Sequence, residues 1–279
     1  MILETAIARV VTKLRPNAQR LLTPNGTLVV RLRRALYGCV QSSKLWYDKL
    51  CTVLRDGGLE MNAYDPCVFN KSVNGVQITV CFHVDDLLVT SKSPELIKSM
   101  EEHLRKSFTQ VTFTRGDLHS FLSMTIECSK ESIAVDMQGY VEKCLDDRLL
   151  VKANGPARDD LFDVRDDSPL LDTAAREAFH SDVARLLYLA KRVRKDILVA
   201  VSHLCSRVAH PTMDDQFKLE RVLGYLGHTR HLKTIFKRGI DVILSANIDA
   251  SFGIHDDGTS RTGVVLLLSG AAVGAWSSK

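Results

Sequence analysis

Apolar and polar positions along the chain recur in short stretches that can be read one at a time. Met1 to Val11 is an apolar run at helical spacing. After the turn signal Pro24-Asn25-Gly26, Leu28-Val29-Val30 with Leu32 reads as a short strand leading into the loop Tyr37 to Gln41. Leu45, Trp46, Leu50, Val53 and Leu54 then repeat at helical spacing, with Ser42 or Ser43 placed to cap that helix and Gly57-Gly58 to stop it. Cys67 to Phe69, the turn Asn74-Gly75 and Val76 to Phe82 predict a hairpin. Asp85-Asp86 follows, and Leu87 to Thr90 gives another short strand, so two β runs flank a turn carrying two carboxylates.

Ser93-Pro94-Glu95 opens a helix whose Leu96, Met100, Leu104 and Phe108 share a face. Strand-like Phe121 to Ile126 and Ile133 to Val135 come next, then a helical stretch through Tyr140, Val141 and Leu145. The β-β-α-β-β-α order is an α+β pattern rather than a doubly wound one. From 151 to 179 periodicity gives way to Asp, Arg, Pro and Gly, the composition of a linker. Helices are expected at Val183 to Val193, Ile197 to Val208 and Phe217 to Leu226, and β character returns in Leu232 to Phe236, Val242 to Ile248 and Val264 to Leu268. The division this suggests is 1–150, a linker 151–179, a helical 180–230 and a β-rich 231–279.

Composition changes this picture little. With 279 residues, 45% apolar and 25% charged, the chain resembles ordinary globular proteins and can bury a core. Val264 to Leu268 is far shorter than the roughly 20 residues a membrane span needs. No basic leader with a small-residue cleavage site is visible, so an intracellular location is expected, in the cytoplasm with the nucleus as an alternative. Seven singly scattered cysteines fit a reducing compartment, and Cys205 with His210 lacks the second ligand pair of a zinc finger. The net charge of +4 is mild, but its distribution is uneven: Arg9, Lys13, Arg15, Arg20, Arg31, Arg33 and Arg34 precede Leu36 against a single acid, Glu4. That segment suits a phosphate backbone or is a solvated basic face.

Adjacent carboxylates on a tight turn repel and raise each other's pKa unless a cation sits against them. A pair of divalent ions, hard Mg²⁺ above all, resolves the conflict and serves phosphoryl and nucleotidyl transfer. The plainer reading is an Asp-rich hairpin turn.

The residues around this turn resemble those of copia-type retrotransposon reverse transcriptases. The likeness runs through Leu36 to Tyr47, Tyr64 to Phe69, His83-Val84-Asp85-Asp86 and Phe121 to Met124. It continues through Tyr188-Leu189, Arg194 to Ile197, Tyr225 to Thr229, Ile248 to Phe252, Ser260 to Gly263 and Trp276 to Lys279. The resemblance implies a reverse-transcriptase palm-like antiparallel sheet with helices over 1–150, a helical thumb or connection over 180–230, and the first strands of a ribonuclease H-like unit over 231–279. It implies RNA-directed DNA synthesis with Mg²⁺, deoxynucleotides, an RNA template and a DNA primer. By the same resemblance Asp85 and Asp86 are catalytic metal ligands, Tyr37, Gly38 and Gln41 contact the incoming nucleotide and template, and Asp249 is the first metal-binding Asp of the ribonuclease H-like unit. Trp46 and Tyr47 belong to the pattern too, but their helical spacing assigns them to the core.

His83 stands where the family usually has an aromatic residue, and Ser123 where it usually has Gly. The family takes a further metal-binding Asp from a strand before the Tyr37 to Gln41 loop, whereas no Asp occurs here before Asp48 and Glu4 lies in the helix-like run. Asp256 and Asp257, in the turn His255 to Gly258, read as solvated rather than as further ribonuclease H ligands. The expectation is a polymerase of this family that is catalytically incomplete in these residues; the alternatives are a dead remnant that still binds nucleic acid and a decayed product without function.

Overall fold

The computed structural model describes residues 1–36, 38–146, 148–165, 167–238, 241–253 and 258–278. It falls into two compact units, Met1–Phe113 and Thr114–Lys279, so the division lies inside the stretch 1–150 that sequence reading keeps together.

In the first unit β1 (Ile2–Leu3) pairs antiparallel with β2 (Leu28–Val29), and α1 (Thr5–Leu14) begins immediately after Glu4. Glu4 is thus the residue that starts the helix, not a member of it. A 3₁₀ turn, Pro16–Leu21, follows. The helix α2 (Val40–Asp56) starts earlier than its serines suggest: its N-cap is Cys39, and Ser42 lies inside the first turn, where its hydroxyl donates to the Leu36 carbonyl at 2.6 Å. Gly38, at φ +88, already turns the chain before the serines are reached.

A four-stranded antiparallel sheet follows, in spatial order β3 (Glu60–Met61), β4 (Val68–Val73), β5 (Val76–His83), β6 (Asp86–Ser91). Asn74 and Gly75 both have positive φ, which a tight hairpin of the twist-matching type demands. Alternate residues Ile78, Val80 and Phe82 of β5 are buried against Leu50, Val53 and Leu54 of α2 and Met100 and Leu104 of α3 (Pro94–Ser107). Each such side chain contributes about 1.5–3 kcal/mol on burial. The Ser93 hydroxyl caps α3 by accepting from the Leu96 N–H at 3.2 Å.

The second unit opens with β7 (Leu118–Phe121), β8 (Met124–Cys128) and β9 (Ser132–Asp136). The single strand expected at Phe121 to Ile126 is therefore a hairpin. Its turn, Leu122 (φ +53) and Ser123 (φ +62), has the backbone of an Asn-Gly turn without its residues. The Tyr188 hydroxyl donates to the Leu122 carbonyl at 3.0 Å and helps hold this conformation. Ser123→Gly removes the left-handed penalty and is expected to stabilise the fold by about 1 kcal/mol. A lower urea midpoint for the variant would contradict this.

After α4 (Gln138–Leu145) come α5 (Thr173–Arg192), a 3₁₀ turn at Lys195–Ile197, α6 (Leu198–Arg207) and α7 (Met213–His228), packed around Phe179, Leu186, Ile197, Leu204, Leu219 and Leu223. The expected linker is corrected in two ways. Residues 173–179 are already helical, because the Asp172 carboxylate caps α5 by accepting from the Ala175 N–H at 2.8 Å. The rest is strapped to the helices: Ala153 and Leu161 are buried, and Leu170 bridges to Thr212.

The strand β10 (Thr234–Lys237) pairs with β9 and closes the edge of that sheet, rather than joining the strands that follow it. Those are β11 (Leu244–Ser251), β12 (Arg261–Leu268) and β13 (Ala271–Ser278), an antiparallel set in sequence order. The last was not anticipated. A register shift between Leu266 and Leu267 leaves Val273 unpaired and exposed between the buried Ala271 and Ala275, which interrupts the alternation that would have marked the strand.

Arg194 and His203 are among the polar residues buried in the helical segment. Arg194, 2% exposed, donates to both Asp196 carboxylate oxygens and to the Thr229 carbonyl and hydroxyl, and the Tyr225 hydroxyl donates to Asp196 at 2.9 Å. Burial pushes the Asp196 carboxyl up, but Arg194 and Tyr225 more than offset it and leave it below its ordinary value. His203, 4% exposed, packs edge-on against Phe162, and its Nε2 has no hydrogen-bond partner among the described residues.

Burial pushes His203 from 6.5 down to about 4; Lys218, Arg261 and Arg207 add to the effect and Asp215 opposes it. The unfolded chain binds this proton more tightly than the folded one. The resulting stability is present above pH 6.5 and is lost as pH falls toward 4, by an expected amount of about 3 kcal/mol. Urea titrations at pH 7 and pH 4 should show that His203→Phe loses less than the wild type by that margin; equal losses would contradict the assignment. No helix among the described residues is long and apolar enough to cross a membrane. All seven cysteines are free thiols.

Candidate active site on the carboxylate turn

Strands β5 and β6 close on a two-residue loop. His83 pairs with Asp86, leaving Val84 and Asp85 at the tip. Asp85 and Asp86 are both exposed, and neither has an ion-pair partner among the described residues. Val84 takes φ +55, a conformation costly for a β-branched side chain, and the residue is 58% exposed, so packing does not hold it there. The Trp46 indole N–H of α2 donates to the Val84 carbonyl at 2.5 Å. The indole is itself held against the Phe108 ring, with centroids 5.2 Å apart. Backbone outliers of this kind cluster at functional sites.

Of the other expected contacts to nucleotide and template, Tyr37 lies outside the described residues. Gly38 and Gln41 are exposed at the entry to α2, and a Cβ on Gly38 would meet nothing within 4 Å. Glycine is therefore needed there for its positive φ, while the open space leaves the backbone approachable. The seven basic residues from Arg9 to Arg34 are all exposed, and none is in an ion pair among the described residues.

Asp249, in the second unit, lies on β11 opposite Gly263 and is exposed. A cavity of about 250 Å³ beside it is lined by Lys195, Asn247, Val264 and Trp276. Burial, with Lys191 and Arg192 adding to it, pushes the Lys195 ammonium down to about 8. That ammonium donates to the Lys191 carbonyl at 3.1 Å and to the Arg192 carbonyl, so it is already satisfied by its own helix end. The turn His255 to Asp257 and Lys279 lie outside the described residues. Among the described residues, no three His, Cys, Asp or Glu side chains gather in a group that could hold a metal.

A family model for reverse transcriptase (RNA-dependent DNA polymerase) matches residues 15–159, just over half of the chain. The chain belongs to the reverse transcriptase family. Its relatives are retrotransposon proteins, which makes it a fragment of the copia type. It is 28% identical over 262 residues to a transposon Ty5-1 protein of Saccharomyces cerevisiae, covering 91% of this chain and 83% of that protein. It is 28% identical to the retrovirus-related Pol polyprotein from transposon RE2 of Arabidopsis thaliana, covering 90% of this chain and 17% of the polyprotein. The polyprotein from transposon TNT 1-94 of Nicotiana tabacum is also 28% identical, with 90% and 20% covered. The chain thus spans about a fifth of these polyproteins or less. No solved structure matches it.

The mixed α+β architecture, with antiparallel sheets and helices, fits a reverse transcriptase domain. Within it, the residue that sequence reading left out is Trp46. Its helical spacing places it correctly on α2, but nothing local announces a hydrogen bond to a carbonyl 38 positions away. The strained turn offers no sequence signal either, since valine is the last residue expected at positive φ.

Proposed function

We propose that this reverse transcriptase chain carries part of a two-metal site for RNA-directed DNA synthesis, with Asp85 and Asp86 as its metal ligands. The observation that carries the reading is the turn itself: two unneutralised, exposed carboxylates on adjacent residues, presented by a strained loop. Their donor chemistry fits Mg²⁺, which prefers carboxylate oxygens and retained waters. Bound there, Mg²⁺ would neutralise charge on the transferring phosphoryl group and favour the primer hydroxyl as nucleophile.

The chain's own residues do the rest. Gly38 and Gln41, with Tyr37, present backbone and amide groups to the incoming nucleotide, and the exposed basic segment Arg9 to Arg34 neutralises template and primer phosphates. Residues 180–230 serve as thumb or connection, and β11 to β13 with Asp249 form the opening of a ribonuclease H-like unit. The protein works inside the cell, where its nucleic acid substrates are.

We further propose that the 279 residues by themselves are catalytically incomplete. They contain no Asp before Asp48, and Glu4 is held at a helix start. With two carboxylates in place of three, in-line geometry between two ions is lost. A second reading, a nucleic-acid-binding remnant, is favoured by the exposure of all seven basic residues before Leu36. Both readings require binding, which fluorescence anisotropy with a labelled RNA/DNA hybrid measures. Affinity should fall steeply with salt, each phosphate contact adding about 0.7–0.9 to the logarithmic slope; no binding at low salt would contradict both.

A further inference from the structure

The turn that presents Asp85 and Asp86 depends on one peptide plane. In a two-residue hairpin loop the central peptide, here Val84–Asp85, is the one whose orientation distinguishes one turn type from another. Turning it changes ψ of Val84 and φ of Asp85 together, and with them the direction in which the Asp85 side chain leaves the loop. Val84 loads the loop with strain, being β-branched at φ +55 and 58% exposed, so any shift of its backbone toward negative φ would carry the next peptide with it. The group that reaches this peptide is the Trp46 indole N–H, which donates to its carbonyl at 2.5 Å. The indole in turn is held by a tilted contact with Phe108, whose ring also carries the Lys49 ammonium at 5.0 Å.

We infer that Trp46 is a positioning residue for the carboxylate pair: its indole N–H fixes the Val84–Asp85 peptide and thereby sets the angle at which Asp85 and Asp86 face a common divalent cation. The inference rests on the metal-site reading of those two aspartates. It assigns Trp46 a role apart from its packing, because phenylalanine or tyrosine keeps an aromatic ring beside Phe108 and loses the indole N–H. It also ties the need for Trp46 to the strain at Val84, which glycine would abolish.

The test uses Mn²⁺ as the probe, with free Mn²⁺ followed by electron paramagnetic resonance on the full chain and folding checked by thermal melting. The wild type should bind Mn²⁺, and Asp85→Asn with Asp86→Asn should abolish the binding. Trp46→Phe should weaken it about five- to tenfold, the worth of one hydrogen bond, with Trp46→Tyr as the second variant should the first not fold. In a Val84→Gly background, where positive φ is free of strain, the same substitution should cost less than about twofold. Mn²⁺ affinity unchanged in Trp46→Phe or Trp46→Tyr, yet still dependent on Asp85, overturns the inference alone. Mn²⁺ binding that survives loss of both aspartates overturns the metal-site reading, and the inference with it.

Discussion

Replacing Arg194 by alanine is expected to cost about 2–3 kcal/mol of stability, because loss of the buried guanidinium leaves a partly open carboxylate and a helix-end carbonyl without their donor. The guanidinium, 2% exposed, serves two partners at once. Toward Asp196 it donates from Nε and Nη2 at 2.7–3.2 Å, and toward Thr229 it donates to the carbonyl at 2.9 Å and the hydroxyl at 2.7 Å. Its removal leaves the Asp196 carboxylate, about a third of it still open to solvent, with only the Tyr225 hydroxyl, and takes the donor from a carbonyl at the end of α7. Lysine cannot reproduce the fork, so Arg194→Lys should also destabilise, by less. Urea unfolding is the measurement; a midpoint shift worth under about 1 kcal/mol would show that water takes over these bonds.

Gly224→Ala is the second large effect, and here two principles predict opposite signs. Helix propensity alone favours alanine over glycine inside α7 by about 1 kcal/mol. The strap decides otherwise. A Cβ at this position would lie well inside van der Waals contact with the Val151 carbonyl oxygen and close to its carbon, and both are backbone atoms rather than the end of a flexible side chain. Either α7 or the strap must move, and overpacking of this kind costs about 1–3 kcal/mol. The expected outcome is a lower melting temperature for Gly224→Ala, and a rise would mean that the strap yields freely.

The strap also shows where the sequence stops being legible. The hairpin at Asn74-Gly75 and the faces of α2 and α3 could be read because the signals are local: a turn pair suited to positive φ, and apolar residues at helical period. Ala153 and Leu161 stand in a stretch broken by Lys, Arg, Asp, Gly and Pro, with no apolar repeat, so nothing periodic marks them as buried. The hairpin at Leu122-Ser123 was hidden for a related reason. Its residues are not those of a tight turn, and the Tyr188 hydroxyl that helps hold them comes from 66 positions away. The pairing of β10 with β9 joins residues about a hundred apart, which no window can see.

The candidate site divides in the same way. Asp85 and Asp86 were legible because two like charges between apolar strands need an explanation. Trp46 was not, since its apolar ring satisfies a helix pattern and conceals the polar N–H that reaches Val84.

The most direct test is primer extension on an RNA template with Mg²⁺, comparing the 279 residues with the same residues joined behind an aspartate-bearing strand segment from a related polyprotein. The account predicts no incorporation by the 279 residues alone, extension by the joined protein, and its loss on Asp85→Asn. Robust extension by the 279 residues alone, or extension by the joined protein that survives Asp85→Asn, would contradict it.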